Sequence, residues 1–444
     1  MTSFTQTTVT ATSTISGWGG YPTQDAQIIT PLSLSSYQTQ LEQHPSLIAR
    51  GMGRSYGDSA NAAAVLQTTY CDHLIAFDAA TGLLTVEAGV TLREILKVTV
   101  KQGWFLPVTP GTGFVTVGGA IASDVHGKNH HVAGTFGSHV VSITMLLGTG
   151  ELVTTSPTVL PDLFHATCGG MGLTGVILTT TIQLTAIRSV FMNQTTMKAD
   201  SLEEACEAFE ANSTASYSVA WIDCLTTGKH LGRSVLMVGE HADDGGLDLT
   251  IKSPITIPIH TPAVLLNSMT MRAFNTAYWA KAAHHKKQTI PLLSYFYPLD
   301  AIGGWNKLYG KAGFVQYQFV LPKAGGITNM HKILMQIAQS GAGSFLAVLK
   351  QFGAANQNLL SFPMEGYTLA LDFKISSSVM ELLHRLDDIV AAMGGRVYLT
   401  KDAVMREASF KTTYPNWQEF EGVRQKYGAI GKFASNQSKR LGLA

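Results

Sequence analysis

The chain has 444 residues, of which 45% are apolar and only 14% charged, and its formal net charge is +1. That length exceeds what a single core usually serves, and the apolar share excludes intrinsic disorder. So small a net charge supplies no field for nucleic acid, and that class is excluded as well. The N-terminal MTSFTQTTVTATSTISGWGG has neither a basic start nor an apolar stretch, so no signal peptide is expected. No apolar run reaches the roughly 18 residues that span a bilayer. The expectation is a cytoplasmic protein, soluble or in peripheral contact with a membrane. Cys71, Cys168, Cys206 and Cys224 form no CxxC pair and no Cys/His metal spacing, which reads as free thiols in a reducing compartment.

Residues 46–190 are dense in glycine and in short β-rich runs: SLIAR, LIAFD, LLTVEAG, SITMLLG and GVILTTTIQL. Thr91–Gln102 sets Leu92, Ile95 and Leu96 on one helical face and stops before Gly103. Strands with few helices predict an α+β arrangement. From about 190 to 395 the texture changes. Ser201–Ser213 reads as an amphipathic helix, and so does Asn329–Gln339, with Met330, Ile333, Leu334 and Ile337 in phase. Ser378–Met393 is the clearest helix. Its expected features are a capping box from Ser378 to Glu381, a buried face of Val379, Leu382, Leu383, Leu386, Ile389 and Val390, and a stop at Gly394–Gly395. SVAWIDCL, FVQYQFVLP, SFLAVLKQFG, YTLALDF and RVYLT lie among these helices as strands, a second α/β layer that would cover a cofactor. Residues 253–290 break the pattern with Pro254, Pro258, Pro262, an apolar AVLLN and then Lys281, His284, His285, Lys286 and Lys287. They read as a long surface loop, or alternatively as a flap touching anionic lipid or a partner protein. The last fifty residues return to polar loops and a basic helical tail.

Three glycine-rich segments stand out: Gly51–Asp58, Pro110–Ala120 and Cys168–Gly175. None is a GxGxxG that closes a strand and opens a helix, which argues against a nicotinamide Rossmann site. Successive glycines do let backbone N–H groups converge on an anion, and three such loops could wrap a pyrophosphate. Between them, Ser123–His131 holds His126, His130 and His131, whose spacing fits metal poorly. No metal is expected, and a polar loop against a cofactor ring is the better reading.

At these residues the chain resembles a known family. RGMGRSYGD, PGTGFVTVGGAIASDVHGKNHH and GGMGLTG, then WNKLYGKAGFVQYQFVLP, YLTKDA and FASNQSKRLGL, are similar to the decaprenylphosphoryl-β-D-ribose oxidase family, FAD-linked oxidases of vanillyl-alcohol-oxidase (PCMH) type. The resemblance implies a two-lobed FAD-binding domain at 1–187, an α/β substrate domain at 188–395 and a C-terminal segment, 396–444, returning to the first. It implies FAD contacts at Gly53, Arg54, Ser55, Tyr56, Gly57, Pro110, Gly111, Thr112, Val115, Thr116, Gly118, Gly119, Ala120, Ser123, Val125, His126, Gly172, Gly175, Ile177 and Tyr398. It places Lys401 at the reacting hydroxyl, and Lys128, Gln316, Gln318, Lys350, Tyr297, Trp221, Thr368 and Ala370 around the sugar. The implied reaction oxidises the 2′-hydroxyl of a phosphorylated or polyprenyl-phosphoryl ribofuranose, and an NAD(P)H-dependent short-chain reductase would complete an epimerisation.

A lysine is protonated at neutral pH, so Lys401 serves as a base only with a strongly lowered pKa and otherwise as a fixed cation beside the alkoxide. Gln316 and Gln318 alternate with Tyr317, so both amides point to one strand face. Mycobacterial members of the family differ at Val219, Phe296, Tyr297, Thr368 and Ala370. These departures point to an alternative, an oxidase or dehydrogenase of a free sugar, alditol or aldonolactone. Relatives that attach flavin covalently carry a histidine where this chain has Arg54, so dissociable FAD is expected. Acid precipitation of the yellow protein should therefore leave all flavin absorbance in the supernatant; colour kept in the pellet would contradict this reading.

Overall fold

A computed structural model describes residues 8–261, 267–344 and 346–443. Alternating side chains over Thr8–Ser16 and Thr23–Pro31 pair the two strands antiparallel, and Ala64–Gln67 and Ile48–Arg50 extend this sheet in parallel. A second, antiparallel sheet runs in the order Leu74–Asp78, Leu83–Glu87, Val176–Gln183, Val140–Leu146, Leu152–Thr155. The expected helix forms over Leu92–Thr99. Thr91 and Glu94 cap it reciprocally, Leu92, Ile95 and Leu96 are fully buried, and a further 3-10 turn ends at Gly103 with φ +82°. The glycine-rich segments are the connections at strand ends. Gly51–Asp58 leaves Ile48–Arg50, Cys168–Gly175 leads into Val176–Gln183, and Pro110–Ala120 runs into a short helix, Val117–Ala122.

An eight-stranded antiparallel sheet dominates the rest. Its order is His285–Pro291, Phe191–Ala199, Ser234–His241, Tyr217–Ile222, Ala347–Phe352, Gly366–Lys374, Phe314–Pro322, Arg396–Val397. Helices Leu202–Ala211, Gly326–Ser340 and Ser377–Ala392 cover one face. Their apolar stripes, such as Met330, Ile333, Leu334 and Ile337, sit against Phe319, Leu321, Leu369 and Leu371 in one buried core. The other face is left free for a site.

The structure corrects several local expectations. The last of these helices is capped by Ser376, not by a Ser378–Glu381 box. Ser376 is the extended residue, and its hydroxyl accepts from Val379 N–H, whereas Ser378 already lies inside the helix. Ile389 on that helix is half-buried. Residues 253–290 are not one long loop. Asn267 caps a helix over Ser268–Lys281, and His285–Pro291 is the edge strand of the large sheet. Pro262 and the AVLL of the apolar run lie outside the described residues. RVYLT is a strand only at Arg396–Val397, after which the chain turns back. All four cysteines are free thiols.

Two polar clamps tie the elements together. The buried Asp124 carboxylate accepts from Gly137 N–H, the Asn356 and Asn358 amides and the Ser361 hydroxyl, at 2.6–2.9 Å. At the other end Arg440 bridges Asp58 and Asp402, while the fully buried Arg424 donates to the carbonyls of Leu173, Phe433 and Leu443. The C-terminal helices are thereby fastened to the N-terminal sheet. Asp124→Ala would leave several buried donors without an acceptor, a loss of ~3 kcal/mol or more. The melting temperature should fall sharply, and Asp124→Asn should recover part of it; an unchanged melting curve for the alanine variant would refute the clamp.

Candidate active site

The free face of the eight-stranded sheet and the glycine-rich connections enclose a cavity of about 780 Å³. The strand register decides what it meets. Gln318 pairs with Ala370, Ala370 with Val348, and Val348 with Trp221, so these four side chains form one row across the sheet, all on the cavity face. Two residues along, Gln316 lies opposite Asp372. Two residues the other way, Lys350 lies opposite Thr368. Tyr317 points to the helix face instead, where its hydroxyl donates to Asp387.

Most of the expected residues meet here. Gly53, Arg54, Ser55, Tyr56, Pro110, Gly111, Thr112, Val115, Thr116, Gly118, Gly119, Ser123, Val125, His126, Gly172, Gly175, Ile177 and Tyr398 line the cavity on one side. Lys128, Trp221, Gln316, Gln318, Lys350, Ala370 and Lys401 line it on the other, together with Val219 and Phe296. Four expected residues do not. Gly57 is spent on packing, since a Cβ there would lie 1.9 Å from the Asp402 carbonyl oxygen. Ala120 is fully buried inside its helix. Tyr297 is turned into the protein, its hydroxyl 2.6 Å from that of Thr109. Thr368 stands behind the wall, where Gln318 donates to its hydroxyl and it donates to the Phe319 carbonyl.

Asp372 was not singled out from the sequence, although the alternation Thr368, Ala370, Asp372 in YTLALDF already sets it on this face. Fully buried, it accepts from the Gln316 amide and, at 3.1 Å, from the Tyr309 hydroxyl. Burial pushes its pKa up to about 7, against the opposing pull of Gln316 and Lys401. The lysines shift the other way. Lys401 is lowered to about 7 by burial, partly offset by Asp372 and reinforced by Lys350. Lys128 falls to about 7 through burial and Lys350, and Lys350 to about 8 through burial. They border the cavity, so they keep some accessible surface, yet protein walls them in on the remaining sides.

Each cation is placed by its surroundings. The Lys401 ammonium lies 3.7 Å from the Tyr56 ring centre. Its loop is fixed on both sides: Tyr56 N–H donates to the Thr400 carbonyl, and the Asp402 carboxylate accepts from Val404 N–H, Met405 N–H, Gln437 and Arg440. Lys128 donates to the Tyr295 carbonyl. His126 meets the Gln318 amide through Nε2 at 3.0 Å; its buried Nδ1 has no partner among the described residues. Burial, Lys350, His130 and Lys401 all lower its pKa, so the ring is neutral. His130 and His131 are structural, taking the Gly353 N–H and meeting the Ala215 carbonyl respectively. The described residues hold no cluster of three metal-ligating groups.

The glycine-rich wall suits a dinucleotide. Among the described residues, the N–H groups of Gly53, Arg54, Ser55, Gly111 and Thr112 meet no protein acceptor, and all five residues border the cavity. Gly51 permits this convergence, because a Cβ there would lie 2.2 Å from the Thr116 hydroxyl. Residues 37–156 match the family described as an FAD binding domain. The protein is thus an FAD-dependent oxidoreductase of α+β fold, the class that wall and the match define together. It is 36% identical to decaprenylphosphoryl-β-D-ribose oxidase of Mycolicibacterium smegmatis, over 98% of both chains. It is 30% identical to an uncharacterized Streptomyces coelicolor protein, over 80% of this chain and all of the other. Identity to an L-gulono-1,4-lactone dehydrogenase of Mycobacterium tuberculosis is 21%, over 88% of this chain and 89% of the other. The chain belongs to the decaprenylphosphoryl-β-D-ribose oxidase family.

A Cβ on Gly111 would meet nothing within 4 Å. Gly111→Leu should therefore fold normally yet fill space at the pyrophosphate wall, with FAD affinity falling at least tenfold on gel filtration of the reconstituted protein. Full flavin retention would remove this loop from the cofactor site.

Proposed function

We propose that the protein oxidises the 2′-hydroxyl of a polyprenyl-phosphoryl ribofuranose to the 2′-keto sugar. Residues 1–187 with 396–444 hold FAD in this reading, and 188–395 hold the substrate. The observation that carries it is the charge of the cavity. Lys128, Lys350 and Lys401 border one cavity, and among the described residues only one carboxylate, Asp372, acts on any of them, at Lys401; Asp300, which also lines the cavity, is taken up by Gly113 N–H. Burial without counter-charge costs a cation its hydration, and a phosphate entering here supplies what the lysines lack. A free sugar or lactone does not. The named activity of the Mycolicibacterium relative supports the same substrate class.

Bound FAD supplies the acceptor for the hydride that leaves the sugar C2′. Lys401, with its pKa near neutrality, takes the proton of the 2′-hydroxyl as the carbonyl forms. Gln316 and Gln318 orient the ring hydroxyls. Asp372 fixes the Gln316 amide by accepting from its nitrogen, which turns the amide oxygen away from the carboxylate. Lys128 and Lys350 neutralise the phosphate. The flavin is held without a covalent bond, Arg54 being committed to the Met52 carbonyl and the Trp18 ring. The keto product calls for a separate NAD(P)H-dependent reductase to complete the epimerisation.

The alternative, oxidation of an unphosphorylated sugar, alditol or aldonolactone, draws on the altered wall positions Val219, Phe296 and Ala370 and on the lactone-oxidising relatives. Anaerobic flavin bleaching by a phosphoribosyl lipid and by its unphosphorylated counterpart separates the two. With the phosphorylated substrate kcat/KM should follow a narrow bell between about pH 7 and about pH 8, its rising limb set by Lys401 losing its proton and its falling limb by Lys128 and then Lys350 losing their charge. Lys401→Met should lower the bleaching rate ~100-fold or more. Faster bleaching by the unphosphorylated sugar, with no descending limb, would establish the alternative.

A further inference from the structure

Behind Gln316 the cavity wall is two side chains deep. Asp372 stands in the second layer with both oxygens occupied. Oδ1 accepts from the Gln316 amide, and Oδ2 accepts from the Tyr309 hydroxyl at 3.1 Å. Gln316 and Lys401 line the cavity, and Lys401 acts on Asp372 through space. Tyr309 does not line it. It is only 3% exposed, and its hydroxyl ends on the carboxylate that acts on the reacting lysine.

Tyr309 comes from outside the sheet. It closes a 3-10 turn, Trp305–Tyr309, in the connection from Tyr297 to Phe314. That connection borders the cavity through Leu299, Asp300, Ile302 and Trp305. Tyr309 stacks on Phe314, with ring centres 4.3 Å apart and planes 15° from parallel, and Trp305 meets it edge-on. Phe314 also takes the edge of Tyr56, the ring that carries the Lys401 ammonium. These stacks hold the ring and would hold a phenylalanine equally well. The hydroxyl has a separate job.

Burial, and after it the charge of Asp372, lifts the Tyr309 phenol well above its ordinary range, so it keeps its proton and donates. A hydrogen bond donated to a carboxylate favours the charged form. Gln316 and Lys401 pull Asp372 the same way, against its burial. Tyr56 feels the Asp372 charge from the cofactor side, and both Tyr56 and Cys224 act on Tyr309. At Lys401 the negative charge of Asp372 favours the ammonium, while burial and Lys350 disfavour it. Lys401 in turn helps keep His126 neutral.

We propose that Tyr309 is a positioning residue for the proton acceptor: its hydroxyl holds Asp372 so that the carboxylate fixes the Gln316 amide and gives Lys401 a negative neighbour. This rests on the reading in which Lys401 takes the hydroxyl proton. The test uses the FAD-loaded protein and Tyr309→Phe, which keeps the stack. Without the hydroxyl, Asp372 holds its proton to higher pH, and Lys401, losing its negative neighbour, gives up its own proton at lower pH. The rising limb of kcat/KM for flavin bleaching by a phosphoribosyl lipid should therefore move to lower pH by roughly half a unit, raising activity at pH 6 about threefold relative to the maximum. Asp372→Asn should move it in the same direction, and adding Tyr309→Phe to that variant should move it no further. Acetic anhydride labelling of Lys401 across pH, read by mass spectrometry with no sugar present, should show the same pattern. An unmoved limb and unmoved labelling in Tyr309→Phe, or a Tyr309→Phe shift that persists beside Asp372→Asn, would overturn the assignment. Unchanged labelling in Asp372→Asn would overturn it too, whatever Tyr309→Phe does to folding. The labelling pattern in a protein that no phosphoribosyl lipid bleaches upholds Tyr309 and sinks the substrate reading instead.

Discussion

The site depends on keeping three ammonium groups in a space with too little negative charge to balance them. Lowering Lys401 to about 7 means that its charged form is disfavoured by roughly 5 kcal/mol relative to water. No local feature of the loop would sustain that. It is sustained by the eight-stranded sheet, which holds Lys350 and Asp372 at fixed register positions, and by the Asp402 network, which prevents the Lys401 loop from swinging outward. Asp372 is shifted by its own burial, which raises its pKa, while Gln316, Lys401 and Tyr309 draw it back.

The cofactor wall solves the opposite problem. It gathers N–H groups and contributes no lysine, so in the proposed reading a diphosphate would be held by backbone dipoles with Arg50 and Arg54 beside them. That requires main chain from distant segments to come within van der Waals contact, which is why Gly51 lies against Thr116 and Gly57 against Asp402. The second contact also links the two halves of the site. The turn that carries Tyr56 touches the loop that carries Lys401, and the aromatic ring bridges them. The cofactor wall and Lys401 are thereby in direct contact.

Much of this was legible in the sequence because it rests on periodicity. Alternation in FVQYQFVLP set Gln316 and Gln318 together, and the glycine spacing marked the cofactor wall. Other features were hidden because they depend on contacts between distant segments. Tyr297 was expected at the substrate, yet Thr109, 188 positions away, claims its hydroxyl. Thr368 occupies the right face but is covered by Gln318. The capping residue of the last long helix was misplaced by two positions because three consecutive serines offer equal candidates, and only backbone angles distinguish Ser376. Residues 268–281 escaped helical assignment because the segment lacks the buried apolar stripe on which such assignments rest.

The altered wall positions and the retained charges separate two jobs within one cavity. Val219, Phe296 and Ala370 are uncharged and border the cavity, Ala370 beside Val348, so changes there act first on its volume. Lys350 lowers both Lys128 and Lys401, and Lys401 and Asp372 act on each other, so a change of charge at Lys350 or Asp372 would be felt at its neighbours. In the proposed reading, a pocket that keeps three lysines beside one buried carboxylate favours a substrate that carries an anion, whatever sugar and tail that anion joins.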